Sequence, residues 1–334
     1  MLEDRNLATT EVLNLALDPV LSNTELPLRG LFYPQGFAVE VATNSTDVLA
    51  AAEESWGHYR KEFSDPPVQL RIGVLGAGNG DTPPPPIHRA WQNLMNIIAD
   101  ADNWAVCDMR RGVGFAWITQ AAVDDRAYFR YYFLEGPTLI MLQELYLTQL
   151  HAACVNFEGR GFLLCGDSGA GKSSLSYACA LRGWTFVSDD ASSLLRHRND
   201  CVVVGNPYKM RFREAGIDLF PELSRQKIQP RATGEMAIEL VTASVPEIKT
   251  SLTSAVNYIV FLNRRSPDSR SLVPFSKEAA LTWFAQVICY GEKEVRQAKT
   301  DSLCKLLSAQ VFELRYHDLD WAADRLEALA REGV

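Results

Sequence analysis

One octapeptide constrains this chain more than any other feature of its sequence. Residues 166 to 173 read GDSGAGKS and satisfy the pattern G-x-x-x-x-G-K-[ST]. The apolar run before it, residues 162 to 165, predicts a strand, and residues 172 to 182 predict a helix that stops at Gly183. A strand, a glycine-rich turn and a helix in this order are typical of a loop whose backbone N–H groups and helix N-terminus hold phosphate.

The residue types within this loop indicate separate roles. Lys172 brings a positive charge to the β and γ phosphates, and the hydroxyl of Ser173 suits a position on Mg²⁺. We therefore expect ATP, together with magnesium, to contact one continuous segment. Its residues are Gly166, Asp167, Ser168, Gly169, Ala170, Gly171, Lys172, Ser173 and Ser174.

Two adjacent carboxylates follow the next predicted strand. Residues 185 to 188 (TFVS) end at Asp189 and Asp190, seventeen residues after Lys172. In an open α/β sheet the carboxyl end of that strand lies beside the phosphate loop. One carboxylate can then hold the metal and the other can accept a proton from a nucleophilic hydroxyl. The alternative is a solvated Asp-Asp turn.

His151 begins a predicted hairpin whose strands are residues 152 to 157 and 161 to 165. A single histidine is most often an ordinary core or surface residue, so its position alone assigns it no role.

Composition limits the classes of protein to which the chain can belong. Its 334 residues predict about two domains, and 47% hydrophobic residues can build a sizeable core. A formal charge of −8 argues against nucleic acid as the principal partner. The absence of a leader pattern and of a long apolar stretch predicts a cytoplasmic protein without a membrane partner. Seven cysteines without a Cys-x-x-Cys pair predict reduced thiols and no zinc site.

The pattern along the chain predicts an α/β fold with a boundary in the region of residues 135 to 150, taken as residue 135. In residues 1 to 135, an α/β region of unknown role, we expect helices and strands in alternation. The predicted strands are 36 to 42, 68 to 75, 104 to 109, 113 to 119 and 127 to 134, and the predicted helices are 44 to 63 and 87 to 100. Residues 136 to 334 contain the phosphate loop. Their further predicted elements are a buried strand at 258 to 262 and helices at 137 to 149, 276 to 290, 295 to 308 and 318 to 330.

From His151 to Asp190 the chain resembles the catalytic domain of HPr kinase/phosphorylase, whose fold is related to that of phosphoenolpyruvate carboxykinase. The family's signature is a histidine, a short hairpin, G-D-S-G-x-G-K-S, a helix ending in Arg-Gly and a strand ending in Asp-Asp. All five parts occur here with the family's spacing, and Arg182 and Gly183 end the helix. The close match covers about 40 residues, and an outline match extends over about 180.

The resemblance implies a function and assigns the site. It implies a mixed central sheet, ATP and Mg²⁺, and transfer of the γ-phosphoryl group to a protein serine. Lys172 would bind phosphate, Ser173 would bind magnesium with support from Asp189, and Asp190 would act as the base. It also places His151 near the γ phosphate, where it would adjust the proton transfer. The predicted catalytic residues are therefore His151, Lys172 and Asp190. Members of the family are usually hexamers, so a homo-oligomer is compatible with it.

The sequence departs from the family beyond Asp190. The family's E-x-R-G segment, whose glutamate helps to hold the metal, has no clear counterpart in residues 206 to 216. Glu214 could replace that glutamate. Arg211, Arg213 and Arg231 are candidate phosphate contacts, and a solvated strand face is the alternative for the first two. These departures leave open a small-molecule alcohol as acceptor, or a regulatory or assembly module that binds nucleotide without phosphotransfer.

Overall fold

The computed structural model describes residues 25–76, 80–198, 200–232, 234–264, 270–288 and 291–332. Residues 1 to 24, on which the prediction of no leader rests, lie outside these ranges, and so does Cys289. The other six cysteines are free thiols. In the described ranges no helix combines the length and the apolar character that crossing a bilayer requires. The protein is α/β with mixed sheets, as the sequence predicts, and divides into two compact units, Met1–Leu145 and Tyr146–Val334.

The first unit contains one mixed sheet in the order β1-β2-β3-β7-β6-β5-β4. β2, β3 and β7 run parallel, and the other neighbours are antiparallel. Its strands are β1 (Leu28–Phe32), β2 (Val39–Thr43), β3 (Val68–Leu75), β4 (Ile87–Trp91), β5 (Leu94–Ile98), β6 (Trp104–Asp108) and β7 (Val113–Thr119). Its helices are α1 (Thr46–Trp56), α2 (Gln120–Asp124), α3 (Arg126–Phe129), a π-helical segment (Arg130–Glu135) and α4 (Gly136–Leu145).

Two sequence predictions in this unit are wrong. The predicted helix at 87 to 100 is the β4–β5 hairpin, because Gln92 takes a left-handed φ of 52° and, with Asn93, makes a two-residue turn. The apolar residues happen to follow a helical spacing, and pairing with β6 overrides it. The predicted strand at 127 to 134 is helical, because the Asp125 carboxylate accepts a hydrogen bond from the Tyr128 N–H (3.0 Å) and starts α3.

The two compact units divide after Leu145. α4 belongs with the first unit because it packs on the sheet: a Cβ at Gly114 of β7 would lie 3.0 Å from Met141 Cε. The helix predicted at 137 to 149 is also shorter than expected, because residues 147 to 150 form a strand that pairs with residues 192 to 195.

The second unit is built on a ten-stranded sheet that contains the predicted hairpin. Along it the strands run β17-β11-β9-β10-β18-β13-β12-β8, with β20 also paired to β18 and β19 to β20. Its strands are β8 (Leu147–Leu150), β9 (Ala152–Phe157), β10 (Arg160–Cys165), β11 (Thr185–Ser188), β12 (Ser192–Leu195), β13 (Val202–Val204), β17 (Lys249–Thr250), β18 (Thr253–Asn263), β19 (Ser271–Pro274) and β20 (Gln310–Arg315). A small sheet, β14-β16-β15, comprises β14 (Lys209–Phe212), β15 (Ile228–Pro230) and β16 (Met236–Val241).

Helices cover both faces of the ten-stranded sheet. Leu175 and Leu326 belong to the apolar cluster on one face, and Phe284 and Leu303 belong to the cluster on the other. The helices are α5 (Lys172–Leu181), α6 (Gly216–Leu219), α7 (Lys277–Ala285), α8 (Lys293–Leu306) and α9 (Leu319–Glu332). The sequence therefore predicted α5, α7, α8 and α9 to within a few residues.

The sheet topology brings five chain segments together at one end of the strands. β10, β18 and β20 are parallel, so the residues that follow them lie at the same end of the sheet. β9 runs antiparallel to both β10 and β11, which places the start of β9 and the end of β11 at that end as well. The phosphate loop, His151 and Asp189 therefore lie close together at this end of the sheet.

Candidate functional site

The glycine-rich loop connects β10 to α5 in a backbone conformation that only glycine adopts readily. Gly166, Gly169 and Gly171 have φ angles of 144°, 84° and 99°. Space is also limited, since a Cβ at Gly171 would lie 2.6 Å from the Tyr316 hydroxyl oxygen. The loop is thus fixed by sequence and by packing, and it ends at the N-terminus of a ten-residue helix, where an anion is favoured.

Lys172 lies at the centre of the site and is only 6% exposed. Its Nζ donates to the carbonyl oxygens of Gly166 (2.7 Å) and Asp167 (3.4 Å). The same Nζ is 3.1 Å from His151 Nε2 and 3.5 Å from Asp190 Oδ1. One ammonium group therefore joins the loop to both of the other side chains that the sequence predicts to be catalytic.

His151 and Asp190 complete this cluster and face solvent. His151 Nδ1 is 3.5 Å from Asp190 Oδ1, and the two side chains are 43% and 57% exposed. The His151 ring also lies 6.3 Å from the ring of Trp283 on α7. Because Asp190 is accessible, its carboxylate can meet a hydroxyl group that arrives from solvent.

Asp189, the neighbour of Asp190, is buried. Its Oδ2 accepts a hydrogen bond from the backbone N–H of Arg211 (2.7 Å), and its Oδ1 is buried without a hydrogen-bond partner. Burial raises the pKa of Asp189 to about 6, although the Ser173 hydroxyl and the Arg211 N–H act to lower it. A buried carboxylate oxygen without a partner has unused capacity to bind a cation.

These donors fit magnesium better than a metal held by protein ligands alone. No group of three or more His, Cys, Asp or Glu side chains that could hold a metal ion occurs in the part of the chain described. Glu214 lies exposed in the turn after β14 and forms no such group with the two aspartates. Mg²⁺ is commonly held by one carboxylate, one hydroxyl, substrate phosphates and water, and the first two could come from Asp189 and Ser173.

The three predicted arginines have different surroundings. Arg213 Nη2 donates to Ser168 Oγ (2.7 Å), so this guanidinium lies against the loop. Arg211 holds Asp189 through its backbone N–H, while its guanidinium is 3.4 Å from Glu239. Arg231 pairs with Glu235 (3.1 Å) in the turn between β15 and β16. Among the three, the structure places only the Arg213 side chain on the loop.

Sequence reasoning missed Arg264 and Tyr316. A Cβ at Gly171 would lie 3.7 Å from Arg264 Nη1, and the Arg264 guanidinium lies over the Tyr316 ring at 5.8 Å. The Tyr316 hydroxyl donates to the Ala170 carbonyl oxygen (3.4 Å). Arg264 directly follows β18, which is parallel to β10, and Tyr316 directly follows β20, which is parallel to β18. Their positions after predicted or possible strands were the only sequence signal for a place near the loop.

Comparisons with known proteins add a weak structural similarity. No protein-family model matches the chain, and no curated protein matches it. Among solved structures the chain is similar to the HPr(Ser) kinase/phosphatase from Coxiella burnetii, at 13% identity and a TM-score of 0.32, over 55% of this chain and 99% of that chain. A TM-score of this size does not establish a shared fold.

Proposed function

We propose that residues 146 to 334 form an ATP- and Mg²⁺-dependent phosphotransferase of the HPr kinase type, which transfers the γ-phosphoryl group to a serine hydroxyl of a protein or to a small-molecule alcohol. The observation that carries the proposal is the contact of Lys172 Nζ with the loop, His151 and Asp190 at once. A glycine-rich turn without function would not require a buried lysine beside an accessible carboxylate and a histidine.

In this proposal the loop binds and orients the phosphates. Its backbone N–H groups and the N-terminus of α5 face the anion, and Lys172 neutralises charge on the transferred group. Arg213, already on Ser168, adds a second cation at the outer side of the loop. Catalysis would depend mainly on position and charge, as is general for phosphoryl transfer.

In this proposal Asp190 acts as the general base. Its carboxylate is exposed enough to accept the proton of an incoming hydroxyl, and His151 Nδ1 lies within 3.5 Å of it. His151 is therefore close enough to orient the Asp190 carboxylate and to adjust the proton transfer.

Ser173 and Asp189 fit the metal position. Magnesium bound there would neutralise charge that develops on the phosphates during transfer. Asp189 Oδ1 is the free buried oxygen, and the backbone N–H of Arg211 fixes the orientation of the carboxylate through Oδ2.

A nucleotide-binding regulatory or assembly module is the second candidate. It is favoured by one observation: the exposed Glu214 does not join Asp189 as a second carboxylate. Such a module would bind ATP through the same loop without useful turnover. The bound nucleotide would then regulate its activity or assembly.

The test compares binding with turnover in three variants. We expect Lys172→Ala to lower phosphoryl transfer about 10³-fold, because it removes the cation at the reacting phosphate. We expect Asp190→Asn to lower transfer roughly 10² to 10⁴-fold while ATP binding by calorimetry persists. Asp200→Asn is the control, since Asp200 pairs with Arg198 in the turn between β12 and β13 and no contact between Asp200 and the loop is found in the described residues.

The acceptor is sought with labelled ATP, small carrier proteins of the HPr type and a panel of hydroxyl metabolites. ATP binding without transfer or hydrolysis in the wild type would favour the regulatory module. A wild type that binds no ATP would contradict both candidates.

A further inference from the structure

Side chains reach the phosphate loop from two sides. At the carboxyl end of β10 the strands run in the order β11-β9-β10-β18-β20. His151 precedes β9 and Asp190 follows β11, so both lie on one side of β10. Arg264 follows β18 and Tyr316 follows β20, so both lie on the other side. The function proposed above uses the first side and gives no role to the second.

Arg264 lies directly against the loop. A Cβ at Gly171 would be 3.0 Å from Arg264 Cδ and 3.7 Å from Arg264 Nη1. The absence of a side chain at Gly171 therefore leaves room for the arginine, besides allowing the φ of 99°. Arg264 is partly exposed, so its guanidinium is accessible from solvent.

Tyr316 holds this arginine in place. The Arg264 guanidinium lies over the Tyr316 ring, 5.8 Å from its centroid. The ring is itself fixed, because Tyr316 is only 1% exposed and its hydroxyl donates to the Ala170 carbonyl oxygen (3.4 Å). A guanidinium that lies on an aromatic face keeps the N–H groups at its edge free to donate.

The charge of Arg264 is not neutralised by a neighbour. Within the described residues its guanidinium makes no hydrogen bond or ion pair. Glu313 of β20 binds Arg315 (2.8 Å) and the Asn263 amide (2.8 Å) instead. An arginine fixed beside a glycine-rich loop without an anionic partner favours an anion as its ligand, and its paired N–H groups match two oxygens of a phosphate.

The strand order indicates which phosphate this is. In the proposed function the γ phosphate faces Lys172, His151 and Asp190, on the β9 side of the loop. β9 and β18 lie about 10 Å apart, one on each side of β10. A triphosphate that starts at the catalytic groups and crosses the loop therefore brings its other end towards β18. That end carries the α phosphate and the nucleoside, and the charge of Arg264 matches the phosphate.

From this geometry we propose that Arg264, held by Tyr316, binds the α phosphate of the nucleotide on the loop. The inference rests on the proposed binding of ATP and applies equally to the kinase and to the regulatory module. ATP and ADP both carry an α phosphate, so Arg264 contacts the two nucleotides alike. It therefore helps to retain the product nucleotide as well as the substrate.

The first test measures ATP and ADP binding by calorimetry in the presence of Mg²⁺. We expect Arg264→Gln to weaken both nucleotides by the same factor, about 10-fold, because it removes a charge-assisted contact common to both. Arg264→Lys should restore part of the affinity, since it keeps the charge but not the planar pair of N–H groups.

Arg270→Gln is the matched control. The Arg270 guanidinium also lies over an aromatic ring, that of Trp321 at 5.9 Å, and the substitution removes the same charge. No contact of Arg270 to the loop is found in the described residues, so this variant should change both affinities less than about twofold.

The second test separates a phosphate contact from a nucleoside contact and from a structural role. Inorganic tripolyphosphate, used as a competitor of ATP, should also bind about 10-fold more weakly to Arg264→Gln. If the wild type turns over ATP, Arg264→Gln should raise KM and change kcat less than about twofold. A residue that only shapes the loop would lower kcat as well.

A wild type that binds no ATP would contradict the proposed function and this inference together. ATP binding that Arg264→Gln leaves unchanged would overturn the inference alone. A much larger loss for ATP than for ADP would assign Arg264 to the γ phosphate, and an unchanged affinity for tripolyphosphate would assign it to the nucleoside; either result overturns the α-phosphate contact. Arg264→Lys keeps the inference falsifiable even where Arg264→Gln fails to fold.

Discussion

The two large sheets of this protein differ in how completely they bury their apolar side chains. In the ten-stranded sheet Leu163 and Leu164 are adjacent and point to opposite faces, yet both are fully buried. In the seven-stranded sheet the adjacent pair Ile97 and Ile98 differs sharply, with Ile97 fully buried and Ile98 42% exposed. A sheet that is covered on both faces leaves mainly its strand ends accessible, whereas in the described residues the seven-stranded sheet leaves part of one face exposed.

Alanine substitution should reveal this difference in stability. We expect Leu163→Ala and Leu164→Ala each to lower the free energy of unfolding by about 2 to 5 kcal/mol, because each leaves a cavity in a packed core. Ile97→Ala should cost a similar amount, and Ile98→Ala less than about 1 kcal/mol. Urea denaturation measures all four. Equal costs at 97 and 98 would show that the side chain of Ile98 is packed within the chain.

Within the ten-stranded unit, Asp189 should make stability depend on pH. Its pKa is about 6 in the folded chain and about 3.9 in an unfolded one, so the free energy of unfolding falls as the pH rises from about 4 through 6. Asp189→Asn removes this cost and keeps an acceptor for the Arg211 N–H. We expect the variant to be more stable than the wild type by about 3 kcal/mol at pH 8, without nucleotide, and nearly equal to it at pH 4.

Asp190→Asn is the control for that experiment, since Asp190 is 57% exposed and should change stability little at either pH. A wild type whose stability does not change between pH 4 and pH 8 relative to Asp189→Asn would contradict the assignment of a buried, cation-accepting carboxylate.

The smallest effect is expected at the outer side of the loop. Arg213 donates to Ser168 but is 64% exposed, so Arg213→Gln should weaken ATP binding only about 2- to 5-fold. Arg231→Gln should change the affinity less, because that guanidinium pairs with Glu235, which also lies 3.8 Å from Arg213 Nε, and no contact of Arg231 to the loop is found in the described residues. Calorimetry with both variants separates the two arginines; equal losses would show that the small sheet acts as one unit.

The extent to which the sequence predicts the fold follows from the same contrast. β9, β10 and α5 were predicted well because a local motif and a continuous apolar run coincide there. The β4–β5 hairpin was not, since its apolar residues satisfy a helical spacing and only the distant pairing with β6 decides between the alternatives. The helical segment after Asp125 was missed because its aromatic residues favour strands locally.

The candidate site shows a similar division. The sequence singled out Lys172, Asp189, Asp190 and the loop, and the resemblance to a family added His151; the structure brings these groups together, although their roles stay predictions. Which carboxylate is buried could not be predicted, because it depends on the approach of β14 through the Arg211 N–H. Arg264 and Tyr316 come from strands almost 100 and 150 residues beyond the loop, and only sheet topology places them beside Gly171.

One consequence follows from the hydrogen bonds that Lys172 makes inside the protein. Its ammonium group is already satisfied by the carbonyl oxygens of Gly166 and Asp167, so an incoming anion has to displace an internal ligand before it can bind. If the loop binds nucleotide as proposed, the phosphates would compete with these carbonyl oxygens for the ammonium group, and a chain of several phosphates would gain more contacts in that exchange than a single phosphate.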